Sequence, residues 1–395
     1  MTMLLFTVAF AASLLATTVI VRYAGVKGVR LLDDDLRGVQ KMHILAVPRV
    51  GGVGIAFAAV LASVLAGALE ATPKTPALLL ACSAPALAAG FIEDVTKHVS
   101  PRARLLCVMA AALLACLILG AVIERVDLPI GDAALTFIPL AIAFTVVAVA
   151  GLTNALNIID GINGLASVVG IFIFASIAYV AYRVGDAFVT RTSLIMIGSV
   201  GGFVVWNYPA GLVFLGDGGA YFIGFMIAEL LVLLLAAHPS ISAWYALLVS
   251  IYPTWETLFS MYRRKVVRGM PIDVPDRVHL HTLMYKRVRC RGMHACEPRK
   301  SLRRNSGTSP YLWLLALLGV VPATLFWHNG VLMVVLVCLF IALYVWLYAA
   351  IVRFRTPRWL FVRSIAHTAT VGFNDDEGPE SVRHSKNRES SVDVS

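Results

Sequence analysis

The sequence predicts an all-α polytopic membrane protein of about eleven transmembrane helices, with its N-terminus outside and its C-terminus cytoplasmic. Three observations predict it. Apolar residues make up 59% of the 395 and charged residues 14%, where a soluble globular domain carries roughly 25% charge. Stretches almost free of charge recur along the chain, each near the ~20 residues a helix needs to cross hydrocarbon. The basic residues are also one-sided. With the N-terminus outside, only Lys74, Arg125, Arg183 and Arg191 of the 33 Lys and Arg fall on the outer side. That asymmetry sets the orientation and calls for an odd number of spans.

In order, the spans run over 2–23, 50–70, 77–94, 103–123, 134–155, 162–183, 191–206, 218–237, 242–262, 310–327 and 331–352. The first reads as a retained helix and not a cleavable signal. No Lys or Arg precedes it, its apolar run is long, and the first basic residue, Arg22, follows it. The net charge of +10 therefore reports topology. No nucleic-acid partner is expected, because the basic residues are divided among membrane loops without a binding motif. Of the six cysteines, Cys82, Cys107, Cys116 and Cys338 lie in spans as small soft hydrophobes. Cys290 and Cys296 flank His294 at a spacing that matches no usual zinc pattern. Residues 1–355 are expected to form one integral membrane domain with a long basic inner loop at 263–309. Residues 356–395 are polar without apolar period and are expected to be a disordered cytoplasmic tail.

Five polar clusters fall at the inner ends of these spans, and hydrocarbon tolerates such groups poorly. Gathered at one membrane face, they suit an anionic headgroup at that face. The first cluster holds Lys41, His43, Arg49 and Gly51-Gly52. Its cations can neutralise phosphate while glycine amides approach closely, or it is simply a basic loop with a helix start. In the second, Glu93-Asp94 can bind a divalent cation or accept a proton, or can end the helix and pair with Lys97 or Arg102. Ser100 and Pro101 then open the next helix as N-cap and first turn. The third cluster spaces Asn154, Asn157 and Asp160 every three residues along one drifting helix face before Gly161 and Gly164. Such a face can bind a metal, a ribose or a base edge, or can form an interhelical hydrogen-bond seam. In the fourth, Phe214-Leu215-Gly216-Asp217, the aspartate stands among glycines as an unhindered Mg²⁺ ligand or a helix cap. The fifth, Asp276-Arg277-Val278-His279-Leu280-His281, places two imidazoles two residues apart, on one face only if the backbone is extended.

Together these clusters resemble the polyprenyl-phosphate N-acetylhexosamine-1-phosphate transferase family, from the first inner loop to about Arg289. Its most specific pieces here are Asn154-x-x-Asn157-x-x-Asp160-Gly161-x-x-Gly164-Leu165 and Phe214-Leu215-Gly216-Asp217. The resemblance implies transfer of a sugar 1-phosphate from a UDP-sugar to undecaprenyl phosphate at the cytoplasmic face of the inner membrane. UMP is released, and Mg²⁺, or Mn²⁺ in its place, assists. It implies Asn157 and Asp217 as metal ligands, and Glu93, Asp94, Asp160, His279 and His281 as catalytic groups. Lys41, His43, Arg49, Asn154 and Arg277 are then the substrate-binding groups. Glu93 stands where many members have Asp, and Thr282 where many have a third His. The histidine segment is closer to the branch that starts O-antigen and other surface polysaccharides than to the peptidoglycan-precursor branch. A secondary transporter and a non-catalytic polyprenyl-phosphate binder are the readings from other classes. Oligomeric state, a homodimer included, stays open.

Overall fold

The computed structural model describes residues 1–24, 47–70, 74–269, 278–287 and 298–353. Among these every regular element is helical. Helices α1 (Thr2–Ala24), α2 (Gly51–Glu70), α3 (Lys74–Thr96) and α4 (Pro101–Leu119) come first. A seven-residue helix, α5 (Pro129–Leu135), precedes α6 (Ile138–Ile159), α7 (Leu165–Val184), α8 (Ala187–Asn207) and α9 (Gly216–Ala237). Next come α10 (Trp244–Val249) and α11 (Ile251–Tyr262), which runs into a π-helical turn, Arg263–Val267. The short α12 (Leu280–Arg287) and two long helices, α13 (Pro298–Phe326) and α14 (Gly330–Val352), complete the described chain. Ten of the described helices are long and apolar enough to cross a bilayer. The chain is an integral multi-pass membrane protein.

Helices can stand alone in lipid because each satisfies its own backbone, so ten of the eleven expected spans appear where the apolar runs lie. Three expectations need correction. The stretch 242–262 is not one helix but two, broken at Ser250. Pro253 has no N–H to offer and its ring opposes the carbonyl of Val249, which interrupts the ladder. The Ser250 hydroxyl turns back to the Ala246 carbonyl at 2.6 Å, closing the first segment. The span drawn at 134–155 runs over Ile138–Ile159, because Pro139 favours the first helical turn. Finally, 263–309 is not a continuous loop. It contains the π turn, α12 and the first three turns of α13. Asn305, Thr308 and Ser309 are buried there, and Asn305 Oδ1 and the Ser309 hydroxyl are spent on the connection between α6 and α7.

α9 is the central post, buried along nearly its whole length and flanked by α2, α3, α6 and α7. Its first turn is glycine because two backbones press on it. A Cβ at Gly52 would lie 2.3 Å from Gly219 Cα, and one at Gly90 would lie 2.5 Å from the Gly218 nitrogen. The starts of α2 and α9 and the end of α3 are thereby held in contact at one end of the bundle. Around Glu229, midway along α9, the setting is different. The side chain is fully buried, and neither carboxylate oxygen has a hydrogen-bond partner among the described residues.

Candidate active site

The N-terminus of α9 is built from three separate segments. Phe214 N–H donates to the Pro48 carbonyl at 2.8 Å, and the N–H groups of Gly51 and Gly52 donate to the carbonyls of Phe214 and Leu215 at 3.0 Å each. This crossing carries Arg49 over Gly216, which adopts φ +77°. Any Cβ at Gly216 would lie 2.1 Å from the Arg49 carbonyl oxygen, so the position needs glycine twice over. From the last turn of α3, Asp94 reaches across and accepts from the N–H groups of Asp217 and Gly218, both at 2.9 Å. A carboxylate on the first free amides of a helix both caps it and meets the positive end of its dipole. The cap of α9 is thus supplied by another helix, and Asp217 is released from that role.

Asp217 projects from the second position of α9 into a ring of polar groups. Asn157 Nδ2 donates to its Oδ1 at 3.2 Å, and Arg49 Nη2 stands 3.5 Å from the same oxygen. Arg104, one turn into α4, makes an ion pair with Oδ2. Arg49 Nε also lies 3.8 Å from Asp94 Oδ1. Two carboxylates, two guanidinium groups and an amide therefore meet where α2, α4 and α9 begin and α3 and α6 end. The structure thus brings Arg49, Asp94, Asn157 and Asp217 of four of the polar clusters together at one end of the helices.

Asp160 terminates α6 as its C-cap. Burial lifts its carboxyl to about 7; the Arg49 charge works the other way and the Asp94 charge adds to the rise. The next turn is fixed by four side chains from distant elements. Asn163 N–H donates to Asn305 Oδ1 at 2.8 Å and the Asn163 carbonyl accepts from Ser309 Oγ at 2.5 Å. Gly164 N–H donates to Asn207 Oδ1 at 2.7 Å and its carbonyl accepts from Trp313 Nε1 at 3.0 Å. Every backbone polar group of these two residues is satisfied, so the turn is rigid without being helical.

The histidine segment packs beside this turn. A Cβ at Gly161 would lie 2.4 Å from His281 Nε2, so glycine here lets the imidazole touch the backbone next to Asp160. Burial pushes the His281 imidazole down to about 4, with the charge of His279 acting in the same direction; it is neutral at pH 7. His279 precedes α12 and His281 lies within it, yet their rings stack at 5.3 Å and 5°. The change from coil to helix between them does what extended backbone was expected to do.

The Glu93-Asp94 pair is divided. Asp94 turns inward onto α9, while Glu93 Oε2 accepts from Val99 N–H at 2.8 Å and closes the turn between α3 and α4. Asn154 lines an apolar groove walled by residues of α4, α5, α6, α9, α10 and α11. The groove has a volume of about 1010 Å³, and Leu105, Phe144, Val147, Leu231, Leu247 and Met261 are among its walls. Lys41, His43 and Arg277 lie outside the described residues. Two residues were missed as site members. Arg104 carried a signal, since cations in the first turn of α4 oppose the helix dipole and need another reason to be there. Glu256, which reaches His279 from α11, carried none beyond its nearness to a span end.

Among the described residues no three His, Cys, Asp or Glu side chains converge as a metal cage. Asp217 offers hard carboxylate oxygens, and Asn157, whose Nδ2 now faces it, would add an amide oxygen on turning its side chain over. That suits Mg²⁺, which takes one or two protein carboxylates and completes its shell with phosphate oxygens and water.

Residues 76–235 match the family model described as glycosyl transferase family 4. A 277-residue stretch is 28% identical to a Bacillus subtilis (strain 168) protein named probable undecaprenyl-phosphate N-acetylglucosaminyl 1-phosphate transferase. It covers 69% of this chain and 75% of that protein. A Yersinia pestis undecaprenyl-phosphate alpha-N-acetylglucosaminyl 1-phosphate transferase is 28% identical over 265 residues, 64% of this chain and 69% of the relative. A phospho-N-acetylmuramoyl-pentapeptide-transferase of Streptococcus pneumoniae (strain Hungary19A-6) is 32% identical over 143 residues, 35% of this chain and 42% of the relative. The family match contains Asp94, Arg104, Asn157, Asp160 and Asp217, and leaves Arg49, Glu256, His279 and His281 outside it.

Proposed function

We propose, from the match of residues 76–235 to the glycosyl transferase family 4 model and the likeness to the relatives above, that this chain belongs to that family and transfers a sugar 1-phosphate from a UDP-sugar to undecaprenyl phosphate. UMP is released, and the reaction takes place at the cytoplasmic face of the inner membrane. The observation that carries the reading is Asp217, held on a helix start capped from elsewhere and ringed by Arg49, Arg104 and Asn157.

The lipid phosphate oxygen attacks the phosphorus next to the sugar, and the phosphoanhydride bond to UMP breaks. One phosphoanhydride is lost and one formed, so no ATP is required. Both partners are anionic, and the protein's work is positioning and charge neutralisation. Arg49 and Arg104 hold guanidinium groups at the mouth of the site, and the N-termini of α2 and α9 add their dipoles. Mg²⁺, held by Asp217 and Asn157, would supply a positive charge shared by the diphosphate oxygens. Asp94 keeps Asp217 in place by anchoring α9. Asp160 and the rigid turn after it flank the nucleotide, while His279 and His281 steady the diphosphate or sugar from α12. The apolar groove beside α6 takes the first isoprenoid units of the acceptor, for which a wall of Leu, Val, Phe and Met is the matching chemistry.

The donor is an N-acetylhexosamine nucleotide in this reading, and the product starts O-antigen or another surface polysaccharide. The test uses the full chain in detergent or nanodiscs with Mg²⁺, undecaprenyl phosphate and a panel of UDP-sugars. The lipid product is identified by mass and UMP is quantified. Formation of one lipid-diphosphate sugar with equal UMP supports the reading. Sugar nucleotide turnover without a lipid product, or no UMP with any donor, removes it.

A further inference from the structure

Glu256 is fully buried on α11, and three donors converge on it. His279 Nδ1 lies 3.1 Å from Oε1, Leu280 N–H donates to the same oxygen at 3.1 Å, and Tyr344 O–H donates to Oε2 at 2.5 Å. The preceding residue is tied as well, since Tyr348 O–H donates to the Val278 carbonyl at 3.1 Å. Two helices remote in sequence thus fix a three-residue segment by its backbone and by one imidazole nitrogen. A buried carboxylate needs such donors to offset its lost hydration. The arrangement does more than anchor the chain, because one of the donors is a ring whose two nitrogens are chemically distinct.

We propose that Glu256 is a positioning residue that keeps the proton of His279 on Nδ1 and so presents Nε2 as the atom that meets substrate. A carboxylate on one imidazole nitrogen fixes both the tautomer and the ring plane, as it does behind metal-bound and catalytic histidines. The second proton then enters at Nε2, and the imidazolium so formed is countered by Glu256. On the transferase reading proposed above, on which this inference rests, Nε2–H is the donor to the anionic diphosphate. His281 does not duplicate the role. Its ring lies flat on His279, its Nε2 faces Gly161, and its buried Nδ1 has no partner among the described residues. Among the described residues, Tyr252 on α11 and Tyr344 on α14 also face Glu256, and Arg263 in the π turn faces Tyr344.

The experiment reads ¹⁵N shifts of labelled histidine in the full chain in nanodiscs near neutral pH, with the His279 signal assigned by its loss in His279→Gln. Wild type is expected to show His279 protonated at Nδ1. In Glu256→Leu no acceptor faces Nδ1, so the neutral ring is free to carry its proton on Nε2 and the doubly protonated ring loses its counter-charge. Turnover should then fall by about 10- to 100-fold with the donor KM little changed. A wild-type His279 carrying its neutral-form proton on Nε2 overturns the proposal, whether or not the variant folds. So does a folded Glu256→Leu with unaltered tautomer and kcat. The tautomer is read without turnover. Absence of UMP release in wild type would strike at the transferase reading alone.

Discussion

The two ends of the bundle handle charge in opposite ways. At the end away from Asp217, Arg125 Nη1 pairs with Asp127 Oδ1 at 2.7 Å and its Nη2 donates to the Ile241 carbonyl at 2.7 Å. Asp127 Oδ2 accepts from Ser242 Oγ at 2.8 Å and from Ala243 N–H at 2.7 Å, and Asp132 accepts from Val126 N–H at 2.7 Å. Those charges are tied largely to backbone, at short distances, and they sew three connections together. At the Asp217 end Glu93 and Asp94 are tied to backbone in the same way, but the contacts of the Asp217 carboxylate run side chain to side chain, and the Arg49 contacts are long, at 3.5 and 3.8 Å. Backbone partners stay put, whereas side-chain partners can exchange for a ligand. A polar cluster made to hold the fold and one made to bind an anion differ in this respect more than in composition.

Substitutions at the two ends should therefore separate activity from stability. The largest effect is expected at Asp217. Asp217→Asn keeps the shape and the amide contact, and exchange of labelled UMP into the UDP-sugar should fall by about 100-fold or more with the unfolding midpoint unchanged. Wild-type exchange would place Asp217 among structural residues and erase the contrast. At the other end, Asp127→Ala strands the Arg125 guanidinium and the Ala243 amide. A loss of about 1–3 kcal/mol in stability is expected, read as a lower thermal midpoint in detergent, with kcat/KM preserved. Loss of turnover in a folded Asp127→Ala would show that the Asp127 cluster also serves the reaction.

The smallest effect is one of pH. The Asp160 carboxyl titrates near 7 in the folded chain, against an ordinary value near 4. A group raised on folding gives its full stabilisation below the unfolded value and loses it as pH rises through the folded one. Without divalent cations, wild type should lose stability relative to Asp160→Asn between about pH 4 and about pH 7 and run parallel above that. Parallel curves throughout the window would mean that Asp160 is solvated, sharpening the division between a dry structural end and a wet reactive one.

Much of this was legible in the chain because a membrane helix is a local object. Ser100 caps α4 as its neighbours predict, accepting from Ala103 N–H, and Asn157 and Asp217 were paired as candidates before their contact was visible. What escaped depends on partners far along the chain. The start of α13 looks like polar loop, since Asn305 and Ser309 make sense only against Asn163, more than 140 residues earlier. Glu93 and Asp94 look equivalent in sequence, and only the approach of α9 divides them.

Apolar runs about 20 residues long determined by themselves the all-helical membrane architecture and the helix ends at which the polar clusters lie. Hydrocarbon enforces backbone satisfaction within each helix, so no distant partner is needed for that choice. Which carboxylate caps and which is left to act was decided only in three dimensions. Arg104 reaching Asp217 and Glu256 reaching His279 were decided there too. A buried charge takes its role from the donors around it, and those donors come from other helices.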